Sequence, residues 1–157
     1  RSVSRGLGDV YKRQRYITDF GTEELLNKPN VTVFPHVGGS TSEAELNCAI
    51  MAAQTIRRFM ETGEIVNSVN FPRVQQVLSA PYRITLINKN VPNIVARIST
   101  AVSDFNINID NIINRSKGEY AYTLLDLDET DKSKIDELVA KFEASDNIVR
   151  VRLIKGK

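Results

Sequence analysis

The 157-residue sequence has one cysteine, one histidine, no apolar run long enough to span a membrane and almost no excess of charge of either sign. Each shortage closes off a class of function. Cys48 alone cannot form an internal disulfide, and its place inside a helical pattern leads us to expect a small buried side chain. No metal site is expected. With 21 basic against 19 acidic residues the formal net charge is +2, too slight to point to a nucleic-acid or membrane partner. The longest apolar stretches fall well short of the roughly 20 residues of a membrane span, and no signal-peptide core stands near the start. A soluble, cytoplasmic protein is the expectation. At 41% hydrophobic and 25% charged residues, the chain can bury one ordinary core with a small appendage.

What is present is unevenly distributed. Residues 1–14 mix Arg5, Lys12 and Arg13 with Gly6 and Gly8 and show neither a helical nor an alternating pattern. They look like translated sequencing adapter and are expected to be non-native or disordered. Gly6-Leu7-Gly8 is no dinucleotide loop, since Tyr11 stands where the third glycine belongs and no strand precedes it. From Arg15 the chain carries structure: a strand over Tyr16 to Phe20, a turn and brief helix around Leu25 and Leu26, and a strand over Val31 to Phe34. A helix follows from about Ser42 to Glu61, with Ser42 and Glu45 in capping-box spacing and Leu46, Ala49, Ile50, Ala53, Ile56 and Met60 forming one buried face. Residues 73–81 carry few signals and read as a linker between a unit spanning 15–72 and one spanning 82–157.

The second unit is regular. Strands over Arg83 to Asn88, Asn108 to Arg115, Glu119 to Asp128 and Ile148 to Ile154 alternate with helices that begin near Pro92 and Lys132. The order βαββαβ predicts an α+β, ferredoxin-like sandwich with two helices on one sheet face. By alternation Ala121, Thr123, Leu125 and Leu127 face the helices. Tyr120, Tyr122, Leu124 and Asp126, joined by Arg83, Arg150 and Arg152, are then expected to line an open face, fit for subunit pairing or for nucleic acid.

The single histidine lies in the loop Pro35-His36-Val37-Gly38-Gly39-Ser40-Thr41, between a strand and the capped helix. Backbone N–H groups and the positive helix end converge there on one ionisable ring, an arrangement suited to anion or cofactor chemistry.

That loop with Glu43-Ala44-Glu45, followed by Asn67-Ser68-Val69-Asn70-Phe71-Pro72, resembles the C-terminal part of the catalytic region of the D-3-phosphoglycerate dehydrogenase family. The βαββαβ unit resembles the ACT domain that follows it in those enzymes. The resemblance runs from about Arg15 onward and implies that the first unit is the strand-loop-helix remnant of a Rossmann-type dehydrogenase domain. It implies that His36 is the catalytic acid/base for hydride transfer from a small-molecule substrate to NAD, with Gly38 and Gly39 where backbone approaches the nicotinamide end of the cofactor. The glycine fingerprint, the acidic ribose ligand and the substrate-binding arginine of such enzymes are not in this sequence, so a fragment inactive by itself is expected.

For the ACT unit the resemblance implies an amino-acid effector such as serine between paired domains of a homo-oligomer. The matching positions are Asn88, Asn90, Asn93 and Asn108. Serine-inhibited relatives carry histidine in place of Asn88 and glycine in place of Asn93, and Asn88 and Asn90 could equally serve to cap the turn and helix. Two other readings compete. A self-standing amino-acid-sensing ACT module leaves the His36 loop unexplained. An RNA-binding module would use the basic-Gly-aromatic run Lys117-Gly118-Glu119-Tyr120, but Glu119 breaks the spacing and the first strand lacks a stacking aromatic.

Overall fold

The computed structural model describes residues 15–156, and the chain divides into two compact units, 1–51 and 52–157. The reading of residues 1–14 lies outside the described residues.

In the first unit, strands β1 (Tyr16–Thr18) and β2 (Val31–Val33) pair in parallel, Tyr16 opposite Val31, and are joined through the short helix α1 (Glu23–Leu26). A parallel pair joined through a helix is the local geometry of an α/β layer. Helix α2 (Ser42–Thr62) begins here and continues into the second unit. Its start is capped by Thr41 rather than Ser42: the Thr41 hydroxyl accepts the Ala44 N–H at 3.1 Å, and its carbonyl accepts the Glu45 N–H. The expected box therefore shifts by one residue and loses its glutamate partner. The stripe expected to be buried is also exposed, with Leu46, Ile50, Ile56 and Met60 all open, and Cys48 is exposed on the same helix. Periodicity marks a face able to be buried; burial itself needs a second surface.

The second unit contains β3 (Tyr82–Lys89), α3 (Ile94–Ser103), β4 (Asn108–Lys117), β5 (Tyr120–Asp128), α4 (Lys132–Glu143) and β6 (Ile148–Lys155). Its sheet runs β4-β5-β3-β6 with every neighbouring pair antiparallel. That order, with βαββαβ along the chain, is the ferredoxin-like fold. Ile94, Ile98 and Val102 of α3 and Ile135, Leu138 and Phe142 of α4 close over Ile84, Leu86, Leu125 and Leu127 in the main core. The parity argument thus put the right side chains under the helices.

The opposite face is not open. The chain from the end of α2 to Val77 folds across it, with Ile65 and Val74 bridged and packed on Tyr122 and Leu124. Residues 73–81, read as a linker, supply part of this cover. Arg83 and Asp126, expected on an exposed surface, are 0% exposed and paired, Nε to Oδ1 at 2.5 Å and Nη2 to Oδ2 at 2.8 Å. The remaining guanidinium protons go to the carbonyls of Thr62 (2.8 Å), Gln76 (2.9 Å) and Val77 (3.1 Å). All five donors of the fork are used. A charge so deeply buried is tolerable only with that degree of compensation, and the compensation requires the covering segment.

Beside it the Tyr122 hydroxyl donates to the Gly63 carbonyl at 2.6 Å. Gly63 ends α2 at φ +70°, and a Cβ there would lie 2.5 Å from Thr85 Cγ2. Both the left-handed backbone and the close approach demand glycine.

Two outcomes follow from the covered face. Arg83→Met leaves Asp126 charged and unpaired and should cost about 3–5 kcal/mol in urea denaturation, whereas adding Asp126→Leu should recover most of the loss. Burial pushes the Tyr122 hydroxyl above its ordinary value. Below the unfolded-state value of about 10 both states hold the proton, and above it only the unfolded chain releases one, so stability should fall as pH rises past that point. Tyr122→Phe should remove that alkaline slope in pH-dependent denaturation curves.

Candidate functional site

His36 sits exposed on the loop after β2. Two residues that follow β1 shape its surroundings, and sequence reasoning had singled out neither. Phe20 presents its ring edge-on to the imidazole, centroids 5.5 Å apart and planes at 73°. The Asp19 carboxylate accepts the Gly38 N–H at 2.7 Å. That backbone bond is the main reason the Asp19 carboxyl is held below the usual range, and His36 lowers it further. The parallel pairing of β1 and β2 brings about this meeting, because both strands end at the same edge. The sequence reading had carried the first strand through Phe20, but it ends at Thr18, which frees Asp19 and Phe20 to turn toward the loop.

The two glycines of the loop differ in what they permit. A Cβ on Gly38 would stand 2.8 Å from the Asp19 carboxylate oxygen, so the residue is small because the carboxylate docks on its backbone. A Cβ on Gly39 would meet nothing within 4 Å. Open space at Gly39 fits close approach by a flat ring. Gly38 fits the same role only through its backbone. The grip on the rest of a dinucleotide would have to come from residues this sequence does not contain.

The asparagines of the second unit are not gathered into one pocket. Asn88 is wholly buried, its Oδ1 accepting from the Thr123 hydroxyl at 2.8 Å and its Nδ2 donating to the Lys89 carbonyl at 3.0 Å. Thr123 in turn accepts from Asn114 at 2.7 Å, completing a chain of polar groups across β4, β5 and β3. Asn90 ties the loop after β3 to the β4–β5 turn, its N–H donating to the Glu119 carbonyl and its amide to that of Gly118. Asn93, exposed, takes φ 63° just ahead of α3 and makes no side-chain cap. It holds the place where a helix start at Pro92 was expected. Asn108 stands at the opposite end of the sheet: it pairs with Asp128, whereas Asn88 pairs with Ala121. Seven residues of β5 separate the two rows, roughly 24 Å. One chain therefore brings Asn88, Asn90 and Asn93 to one end and leaves Asn108 at the other.

The open sheet face, expected as a pairing or nucleic-acid surface, is reduced to its rim. Tyr122 is buried, while Tyr120 and Arg150 stay exposed beyond the covering segment. Among the described residues no helix is long and apolar enough to cross a membrane.

No protein-family model matches the chain. Over a 139-residue alignment that covers 85% of the chain, it is 33% identical to D-3-phosphoglycerate dehydrogenase 2 of Saccharomyces cerevisiae, and the Escherichia coli D-3-phosphoglycerate dehydrogenase is 26% identical over 133 residues. The chain is a relative of the D-3-phosphoglycerate dehydrogenases. It spans only 29% of the yeast protein and 32% of the bacterial one. Among solved structures, the ACT domain of a Chlorobium tepidum GTP pyrophosphokinase covers 46% of this phosphoglycerate dehydrogenase relative at 18% identity and a TM-score of 0.43, with 95% of that domain covered. An ACT domain protein from Streptococcus pneumoniae covers 47% at 25% identity and a TM-score of 0.41, with 86% of that chain covered. The strand order, rather than these superpositions, establishes the ferredoxin-like fold.

If the Asn88 side chain serves the sheet alone, Asn88→Ala should strand the Thr123 hydroxyl and cost about 1–3 kcal/mol in chemical denaturation with no ligand present.

Proposed function

We propose that this chain is the C-terminal part of an NAD-dependent D-3-phosphoglycerate dehydrogenase, carrying the loop of the catalytic histidine and a regulatory ACT domain. The observation that bears most weight is the arrangement around His36, in which an exposed imidazole, an aspartate docked on the loop backbone and an unobstructed Gly39 meet at the shared edge of two parallel strands. The carboxyl ends of parallel strands are where α/β enzymes place ligands.

NAD, when bound by the complete enzyme, supplies the hydride acceptor. The contribution of this chain is the proton: neutral His36 takes it from the substrate hydroxyl in oxidation to the 2-oxo acid and returns it in the reverse direction. Asp19 holds the loop through Gly38 and so fixes where the ring starts from. The substrate in this reading is 3-phosphoglycerate, the reaction is the entry to serine biosynthesis, and a cytoplasmic location goes with it. The reading does not assign activity to residues 1–157 alone.

The ACT unit is read as the regulatory part. An amino-acid effector such as serine would bind at the end of the sheet that holds Asn90 and Asn93. Because Asn108 lies at the far end, a site using all the matching positions would need a second copy of the chain, consistent with a homo-oligomer paired through ACT domains. Calorimetry with L-serine should use residues 52–157, since removing 52–81 strips the carbonyls from Arg83. No heat at millimolar serine would remove that amino acid from the reading.

The decisive experiment joins this chain from Arg15 onward to the remaining catalytic region of the yeast relative. The chimera should reduce NAD with 3-phosphoglycerate, and His36→Ala should lower kcat by roughly 10²–10⁴-fold with KM little changed. A chimera that is folded and binds NAD, but whose rate does not depend on His36, would sink the proposal.

A further inference from the structure

The formal net charge of +2 hides an uneven distribution. On α4, Lys132, Lys134 and Lys141 each have a carboxylate partner within ion-pair distance. At the rim that the covering segment leaves bare, the pattern is different. The register sets Lys117, Tyr120 and Lys89 side by side on β4, β5 and β3, and puts Arg115 and Arg150 in the next row, flanking Tyr122 and Ile87. Residues opposite one another across a sheet share a face, so four cations surround one tyrosine. The lysines stand roughly 5 Å from it across the sheet, and the arginine row lies roughly 7 Å further along. All four cations are exposed, and Tyr120 is 46% exposed. Glu119 in the β4–β5 turn and Asp146 ahead of β6 lie at the same end of the sheet. Among the described residues, even so, none of the four cations is within ion-pair distance of a carboxylate. The backbone beneath them is fixed. The Asn90 N–H donates to the Glu119 carbonyl at 2.8 Å and its amide to the Gly118 carbonyl at 3.1 Å. The Lys89 N–H donates to the Asn147 carbonyl at 2.9 Å, and the Lys117 ammonium to the Val69 carbonyl at 2.5 Å. A ligand meeting this rim finds its backbone already ordered.

We propose that this rim binds a nucleoside polyphosphate, with the base stacked on Tyr120 and the phosphates spanning Lys89, Lys117, Arg115 and Arg150. The two halves of such a ligand match the two halves of the patch. Unpaired cations held together on one surface repel one another, and phosphate oxygens offset that repulsion by accepting charge-assisted hydrogen bonds from lysine and arginine. Lys117 spends one of its three donors on Val69 and keeps two for a ligand. An exposed aromatic face gives a base its stacking surface. An acidic peptide would use the cations and leave the ring without a role. A nucleic-acid strand needs a track of successive aromatics, and the next ring along β5, Tyr122, is already covered and hydrogen-bonded to Gly63. The run Lys117-Gly118-Glu119-Tyr120, wrongly spaced for an RNA module, has a use in this setting as a hairpin that carries one cation and one ring to the same rim.

Calorimetry of the full chain with metal-free ATP, tripolyphosphate and adenosine tests the proposal. ATP should bind roughly tenfold more tightly than tripolyphosphate, with adenosine weakest. Lys89→Gln combined with Arg150→Gln should weaken ATP and tripolyphosphate alike, by roughly tenfold or more. Tyr120→Ala should weaken ATP by roughly tenfold and leave tripolyphosphate unchanged. Arg97→Gln, which removes an exposed cation from α3, should change neither. Should Tyr120→Ala loosen the hairpin, the ratio of ATP to tripolyphosphate affinity in the parent and the double cation variant still decide the matter. No binding at millimolar ATP, equal affinity for tripolyphosphate, an equal loss in Arg97→Gln, or capture of a single-stranded oligonucleotide but not ATP would overturn it. None of these readouts involves His36 or hydride transfer, so the nucleotide site and the dehydrogenase reading can fail separately.

Discussion

Much of the second unit hangs on one buried cation. Arg83 lies near the start of β3 on the covered sheet face, and its five N–H donors reach a carboxylate on the neighbouring strand, the last carbonyl of α2 and two carbonyls of the segment that follows. A guanidinium that far from water would be ruinous if any of these partners were missing. The sheet, the helix end and the chain from Gly63 to Val77 therefore form one cooperative body. Among the described residues no buried side-chain nitrogen or oxygen lacks a hydrogen-bond partner, so this clasp leaves no polar debt to be met elsewhere.

The same clasp alters what an ACT-type sheet can do here. Ferredoxin-like units with one bare face can stack through it or lay nucleic acid on it, but in this chain Tyr122, Leu124 and Asp126 are spent on the covering segment. What remains for partners is the rim around Tyr120 and the sheet edges. A nucleic-acid platform on this face is disfavoured for a physical reason: the aromatic best placed to stack a base is already hydrogen-bonded to the backbone of the segment above it.

Around His36 the logic is reversed. Nothing there is buried, and the loop is held by one charge-assisted bond from the Gly38 N–H to Asp19, a turn bond from the Ser40 N–H to the Val37 carbonyl and one aromatic edge contact. Such a loop can be repositioned at small energetic cost, which is compatible with the proton-transfer role proposed for His36. The second unit is held firmly because its buried polar side chains are paired; the histidine loop is adjustable because few contacts hold it.

The sequence alone determined the elements and their types. Hydrophobic periodicity in 82–157 placed four strands and two helices, and alternation along β5 put Leu125 and Leu127 under the helices, because period-two patterns have one buried solution when a helix supplies the other layer. It also singled out the His36 loop, since a lone histidine between a strand and a helix start is visible without coordinates. Three things were decided only in tertiary structure. Residues 73–81 became cover rather than linker because carbonyls, which every residue carries and no composition reveals, were what Arg83 needed. Asn88 turned inward because the antiparallel register set it opposite Thr123's neighbourhood, beside Ala121, a pairing invisible along one strand. The apolar stripe of α2 stayed exposed because hydrophobic spacing states what a helix can bury, whereas burial requires a surface that the described residues do not provide.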